Sequence, residues 1–443
     1  MTSIIKFSIL LSSILSLWIS PGFSQVGWQQ QAGETSDWFI GVWFTSKNTG
    51  IVVGGWDSTC ILRTTNEGET WSRQKHNGTA ITGWSVFSDV CFSDSLNGWV
   101  VGRDGTIQHT RDGGIKWIKQ FADTLFTYYW PVFCVDTSKA WIGAYNPPAL
   151  IRTTDGGETW NTCFTGLNSH PWDMFFLNPD TGYVVWGWCI TCGYPDPEPA
   201  LGSFIYRTTN GGDSWTLLKQ DTTILGLYGI YFTDDNTGTV VGSDGAILRT
   251  TDGGETWTPQ TSDTETDLWD VFFISTDTGW AVGGDMLFTN EGVILRTTDG
   301  GNTWIPQAYP NENAIFGIFF TDANTGTAVS QMGDIFHTKT GGEPTWIKEY
   351  RIDEMPQHSS LSQNYPNPFD QSTNIKFEIS EIELVTIKIY DIEGKLVTTL
   401  VNEKMRPGSY EVAWNAANYP VGVYFCRLKA GSDVESMSME VVR

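Results

Sequence analysis

Along most of this chain apolar and polar residues alternate in short runs, not at helical spacing. The stretch Asp270-Val271-Phe272-Phe273 is followed by a turn bearing Asp277 and Gly279, and then by Trp280-Ala281-Val282-Gly283. The same order returns as Gly229-Ile230-Tyr231-Phe232, Asp235-Asn236-Thr237-Gly238 and Thr239-Val240-Val241-Gly242. A third run of the form Ile-Leu-Arg-Thr and a fourth beginning at a tryptophan complete the repeat. Runs this short, bounded by Gly and Asp, predict strands, and four strands in about 45 residues make one blade of a propeller.

Between the third and fourth strands lies the most regular feature. It reads Arg152-Thr153-Thr154-Asp155-Gly156-Gly157-Glu158-Thr159-Trp160 and returns almost unchanged as Arg249 to Trp257 and Arg296 to Trp304. Looser copies end at Trp71, Trp117, Trp215 and Trp346, which makes seven. The two glycines supply the positive-φ positions of a tight hairpin, and the Asp is expected to accept hydrogen bonds from their N–H groups. The motif resembles the Asp-box, or bacterial neuraminidase repeat, in which this Asp is structural. Trp28-Gln29-Gln30-Gln31 has the pattern of a fourth strand, so the N-terminal segment is expected to complete the last blade and close the ring. The sequence therefore predicts an all-β protein, a seven-bladed β-propeller over residues 26–350 followed by a small C-terminal β-sandwich.

The full repeat, with Arg in the third strand, looks like the propeller family of the photosystem II stability and assembly factors. That resemblance implies a protein-binding or scaffolding propeller. It also implies a client-contact patch at the matching arginines, Arg63, Arg152, Arg207, Arg249 and Arg296. His109 and His337 stand at the same place in two repeats and interrupt it. The alternative for these arginines is pairing with carboxylates of their own or a neighbouring blade.

Composition adds the compartment. Residues 1–25 carry Lys6, an apolar run from Ile9 to Ile19 too short to span a bilayer, and small residues near Ser24, the pattern of a signal peptide. No later run is long enough to span a membrane, so no transmembrane segment is expected in the mature protein. The net charge of −24 and the lack of a basic stripe argue against nucleic acid. Of seven cysteines, Cys60, Cys91 and Cys134 fall in apolar strands and read as buried free thiols. Cys189 and Cys192 open an insertion in a chain bound for an oxidising compartment, and are expected to form a local disulfide. A zinc site would need a second ligand pair, so neither metal nor cofactor is implied.

After Trp346 the repeats stop, and residues 351–360 read as a linker. Residues 361–443 then alternate as short strands around Asn364-Tyr365-Pro366-Asn367-Pro368-Phe369, the turn Asp391-Ile392-Glu393-Gly394-Lys395 and Gly422-Val423-Tyr424-Phe425. With the basic last residue Arg443, this segment resembles the type A sorting domain of the type IX secretion system of the Bacteroidetes. The resemblance implies contact with that secretion machinery through residues 361–443, and release or surface attachment after the signal peptide and sorting domain are removed.

For a site, the first strands open on aromatic residues, Trp130, Trp172, Tyr228, Trp269 and Phe316, with Trp186 and Trp188 on or beside the insertion. An aromatic rim of this kind can stack sugar rings or clasp a peptide, and the competing account is that the rings plug the channel. Asp89, Asp173 and Asp270 recur beside them, alternating with Gly41, Gly229 and Gly317. Two functions follow: a non-catalytic module binding an extracellular protein or glycan, or a glycoside hydrolase, sialidase-like or xyloglucanase-like, using a pair of these carboxylates.

Overall fold

A computed structural model describes residues 23–24, 27–31, 37–56, 59–76, 86–120, 128–145, 147–165, 170–187, 202–285, 292–311, 313–342, 347–350, 356, 358–381, 383–405, 407–417 and 419–442. Most of the signal-peptide segment, Trp188, the Cys189–Cys192 pairing, Trp346 and most of the linker lie outside these residues. The chain is all-β, with one 3-10 turn at Ser243–Gly245 among the described residues. It divides into two compact bodies, residues 26–344 and residues 345–443 with 1–25.

The larger body carries seven sheets among its described residues: six contain four consecutive antiparallel strands, one of these with Lys75–His76 added in parallel beside Lys116–Gln120, and the seventh is completed by a strand from the start of the body. A representative sheet runs Leu268–Phe273, Gly279–Gly283, Val293–Thr297 and Ile305–Pro306. The second strands, such as Gly279–Gly283 and Gly238–Gly242, are buried along their whole length because a neighbouring sheet covers each face. The fourth strands are largely exposed. In the last sheet the outermost strand is Gly27–Gln31, paired antiparallel with Ile335–Gly342 in the register Gln29 to His337 and Gln31 to Ile335. The sheets are tied in sequence by aromatic donors. The indole N–H of Trp141 donates to the Gly211 carbonyl at 3.1 Å, Tyr183 Oη donates to that of Gly253 at 2.9 Å, and Trp280 Nε1 to that of Gly341 at 3.0 Å. Trp280 also stacks on Phe320, with ring centroids 3.5 Å apart.

The repeated turn is wired differently from the sequence expectation. Gly156 and Gly157 do adopt φ of 74° and 84°. Their N–H groups, however, donate to the Ser138 carbonyl (2.9 Å) and to Thr153 Oγ1 (2.8 Å). Asp155 instead accepts from the N–H of Thr159 at 2.9 Å and from the hydroxyls of Thr153 (2.8 Å) and Thr159 (2.7 Å). The αL glycines turn their amides toward the strand side of the hairpin, out of the carboxylate's reach. These bonds hold the Asp155 carboxyl down at about 2, with the Thr159 hydroxyl the largest contributor. Thr153, fully buried, is thus the centre of the turn. Thr153→Val keeps its shape but strands the Gly157 amide, and should cost about 1–3 kcal/mol, read as a shifted chemical-denaturation midpoint.

The smaller body holds two sheets over one core. One orders Ser360–Leu361, Ser372–Ile379, Gly408–Asn415, Ile347–Tyr350 and Phe23–Ser24; the other orders Leu396–Met405, Glu383–Tyr390, Gly422–Ala430 and Asp433–Val441. Where the sequence reading ran the first body to residue 350, Ile347–Tyr350 hydrogen-bonds into this second body. Phe377, Val412 and Trp414 from the first sheet meet Ile387, Ile389, Cys426 and Leu428 from the second in a single buried cluster. Strict alternation, seen in the burial of Gly422–Ala430, sends every second side chain into it.

Candidate functional site

The first strands of the seven sheets converge on one cavity of about 380 Å³. Each of them breaks register at the same place: Phe39/Gly41, Phe87/Asp89, Tyr129/Val132, Pro171/Asp173, Leu227/Gly229, Leu268/Asp270 and Ile315/Gly317. A bulge inserts one unpaired residue and re-aims its side chain. Here the inserted residues include Ile40, Trp172, Tyr228, Trp269 and Phe316, which gather with Val86 and Trp130 in one cluster. Tyr228 stacks on Trp269 at 4.5 Å, while Trp172 meets Tyr228 edge-on at 5.2 Å and Trp130 at 5.8 Å. Trp172 and Trp269 anchor their indoles on the carbonyls of Gly187 (2.9 Å) and Gly284 (2.7 Å). The rings therefore plug the cavity: Trp172, Tyr228, Trp269 and Phe316 are buried, and Trp130 is partly exposed.

The residue after the bulge carries the second layer. Asp89, Asp173 and Asp270 each accept from the amide of their own following residue, at 2.7 Å in all three cases. The other carboxylate oxygen accepts from an amide of the next sheet, Val132 (2.8 Å), Ile230 (2.8 Å) and Ile318 (2.9 Å) respectively. Gly41 and Gly229 alternate with them because a Cβ there would lie 3.1 Å from the Cα of Asp89 or Asp270. Burial pushes Asp89 and Asp270 up to about 7 and raises Asp173 well above the carboxylate range, the charge of Asp270 adding to burial at Asp173. A further ring of aromatics lines the same cavity. Phe133 and Phe175 lie 5.2 Å apart, Phe175 and Tyr231 4.9 Å, Tyr231 and Phe272 5.0 Å, Phe272 and Phe319 5.1 Å, and Phe319 and Trp43 5.3 Å.

Cys91 falls in the strand position that Phe272 holds in its own sheet, and it is disulfide-bonded to Cys134 of the next sheet, Cα atoms 6.1 Å apart. The expectation of free thiols is corrected for this pair and not for Cys60, which is buried and unpaired. The pairing escaped the sequence because it depends on two first strands 43 residues apart being neighbours in space.

Other sequence candidates divide. Trp186 is fully buried between sheets beside Trp141, Phe176 and Phe204, and cannot line a rim; it lies on the second strand Gly182–Gly187, which is buried at every position. Among the described residues, aromatics partly exposed beside this cluster include Trp38, Trp56, Tyr128 and Tyr145, with Trp130. Trp38 packs on Trp56 at 4.4 Å, and Tyr128 on Trp130 at 6.1 Å. The five arginines are half-buried and reach toward the next sheet or an aromatic ring. Arg63 donates to the Gly113 carbonyl at 2.8 Å, Arg152 to the Gly211 carbonyl and Asp213, and Arg249 to the Thr276 carbonyl at 2.7 Å. Arg207 lies 3.8 Å from Glu255, and Arg296 sits 5.6 Å over the Trp280 ring. His109 stacks flat on Trp99 at 4.3 Å. Among the described residues no group of three or more His, Cys, Asp or Glu side chains is placed to hold a metal ion, and no helix is long and apolar enough to cross a membrane.

Comparison with known proteins follows this division. Residues 78–171 and 208–304 match the family described as photosynthesis system II assembly factor YCF48, and residues 363–442 match the secretion system C-terminal sorting domain. The photosystem II assembly lipoprotein Ycf48 of Synechococcus sp. (strain CC9902) is 28% identical over 137 residues, 30% of this chain and 37% of that relative's length. Among solved structures, YCF48 bound to a D1 peptide aligns at a TM-score of 0.57 with 21% identity, covering 72% of this chain and 99% of the other. PorZ, an essential bacterial surface component of the type-IX secretion system of Porphyromonas gingivalis, aligns at 0.54 with 12% identity, covering 93% of this chain and 60% of its own. The chain thus joins a propeller-like body resembling the YCF48-type assembly factors to a secretion-system C-terminal sorting domain, which marks it as secreted or attached to the cell surface.

Proposed function

We propose that this protein is a non-catalytic binding or scaffold module displayed outside the cell: a seven-bladed Asp-box propeller that meets a protein segment on its plugged face, delivered by a C-terminal β-sandwich. The observation that carries this reading is the use made of the cavity carboxylates. Asp89, Asp173 and Asp270 have both oxygens engaged by backbone amides, so they act as ties between sheets, whereas a glycosidase pair must present free oxygens to a sugar. The arginines support the same view, because their guanidinium groups are engaged along the sheet-to-sheet seams instead of forming an open patch. The partly exposed arc of Trp38, Trp56, Tyr128, Trp130 and Tyr145 offers a contact surface of rigid aromatic area, and a similar fold solved with a bound peptide favours a peptide as the ligand.

Peptide and glycan arrays probed with the secreted protein, beside a reducing-sugar assay, test this. A peptide hit weakened at least tenfold by Trp130→Ala, without sugar release, is expected. Sugar release abolished by Asp173→Asn or Asp270→Asn would make the protein a hydrolase.

A further inference from the structure

The sheet formed by Leu396–Met405, Glu383–Tyr390, Gly422–Ala430 and Asp433–Val441 turns one face to the core. Its outer face does not resemble the rest of this chain. On a protein with 50 acidic and 26 basic residues, Lys388 lies directly opposite Arg427, and the next row outward places Lys429 opposite Thr386. Like charges facing each other across two strands are destabilising unless an anion lies between them. Among the described residues none of the three cations makes an ion pair; their cross-strand neighbours on the remaining strands are Thr399, Ser436 and Val434. Among the described side chains, an acid on this face, Glu440, is opposite Val423, two rows from Arg427.

The row on the other side of the cations is apolar. Leu396, Tyr390 and Phe425 lie side by side across three strands, with Phe425 40% and Leu396 47% exposed. Val423, Val421 and Ile392, 41%, 56% and 74% exposed, extend it toward the Asp391–Lys395 turn. Exposed aromatic and aliphatic area beside unneutralised Arg and Lys is the make-up of an interface, not of a solvated sheet face.

We propose that this outer face is the docking surface of the C-terminal body, and that its partner is a protein presenting carboxylates beside an apolar strip. The proposal rests on the reading of residues 363–442 as a sorting domain and names the surface through which it is recognised. A protein is favoured over a bilayer because the cations and the apolar row share one sheet face in adjacent rows, with Tyr390 and Lys388 both half-buried. Insertion into lipid needs apolar groups that project past the cations.

The test uses the full chain in a bacterium that exports it. Lys388→Glu/Arg427→Glu/Lys429→Glu should lower the exported fraction at least tenfold, while Lys388→Arg/Arg427→Lys/Lys429→Arg exports normally. Phe425→Ser should give an intermediate loss, and serves as the readout should the triple reversal fail to fold, as judged by its melting curve. Normal export of a folded reversal chain, or of the Phe425→Ser chain in its place, overturns the proposal. A chain lacking residues 363–442 separates the two levels: if it is exported normally, the sorting reading itself falls. Purified wild-type chain is also spun with phosphatidylglycerol vesicles, and binding that the reversal abolishes would assign the face to lipid and overturn the protein partner.

Discussion

Between pH 7.5 and pH 5 the protein should become more stable, not less, as acid is added. Burial pushes Asp89 and Asp270 up to about 7 in the folded chain and raises Asp173 well above the ordinary carboxylate range, whereas an unfolded Asp titrates near 3.8. A folded-state value raised in this way means that the native protein binds protons that the unfolded chain releases. Stability therefore falls as pH rises through the window from about 4 to about 7, and is recovered on acidification. Each of Asp89 and Asp270 could contribute up to about 4 kcal/mol, and on the order of half that where cavity water screens the charge. Below pH 4 the trend reverses, because Asp155, Asp221 and Asp252 are held down at about 2 by their turn hydrogen bonds and lose that stabilisation when protonated. Denaturant midpoints from pH 3 to 8 should peak near pH 4, and Asp270→Asn should flatten its share of the slope. A midpoint that rises steadily from pH 5 to 8 would contradict the buried, mutually repelling arrangement.

The second large effect concerns the Cys91–Cys134 disulfide. It joins the first strands of adjacent sheets across 43 residues, a loop whose closure in the unfolded chain corresponds to about 4 kcal/mol in the chain-entropy account. Reduction, or Cys91→Ala with Cys134→Ala, should lower the melting midpoint by roughly 5–10 °C. A non-reduced digest should contain the linked peptide pair. Its absence, with an unchanged midpoint under reductant, would show the two thiols to be merely neighbours. Export of the chain is consistent with such a bond, since it persists in oxidising surroundings.

What the sequence made legible was local. Four short strands per repeat, the αL glycines at 156 and 157, and the likeness of Trp28-Gln29-Gln30-Gln31 to a fourth strand are properties of neighbouring residues, and each corresponds to a described strand or turn. What it hid was contact between repeats. Nothing in the spacing of Asp173 says that one of its oxygens will take the Ile230 amide 57 residues away. Trp172 and Trp186 look alike as sequence, yet the bulge at Pro171/Asp173 turns the first toward the cavity while the second sits on a second strand covered on both faces. The turn chemistry was misassigned for a smaller reason: a Thr hydroxyl two residues before the Asp competes for the glycine amide and wins on proximity.

The pairing of Gly27–Gln31 with Ile335–Gly342 sets the timing of folding as well as the shape of the last sheet. Gln30 donates to Asp334 across 304 residues, and Trp28 to Gln307 across 279. Until the segment around residue 340 is available, the backbone of Gly27–Gln31 lacks the strand it pairs with, and contacts of such sequence separation form slowly. The seam therefore acts as a kinetic latch: a chain crossing an envelope segment by segment cannot complete its last sheet until both ends of this body are on the same side.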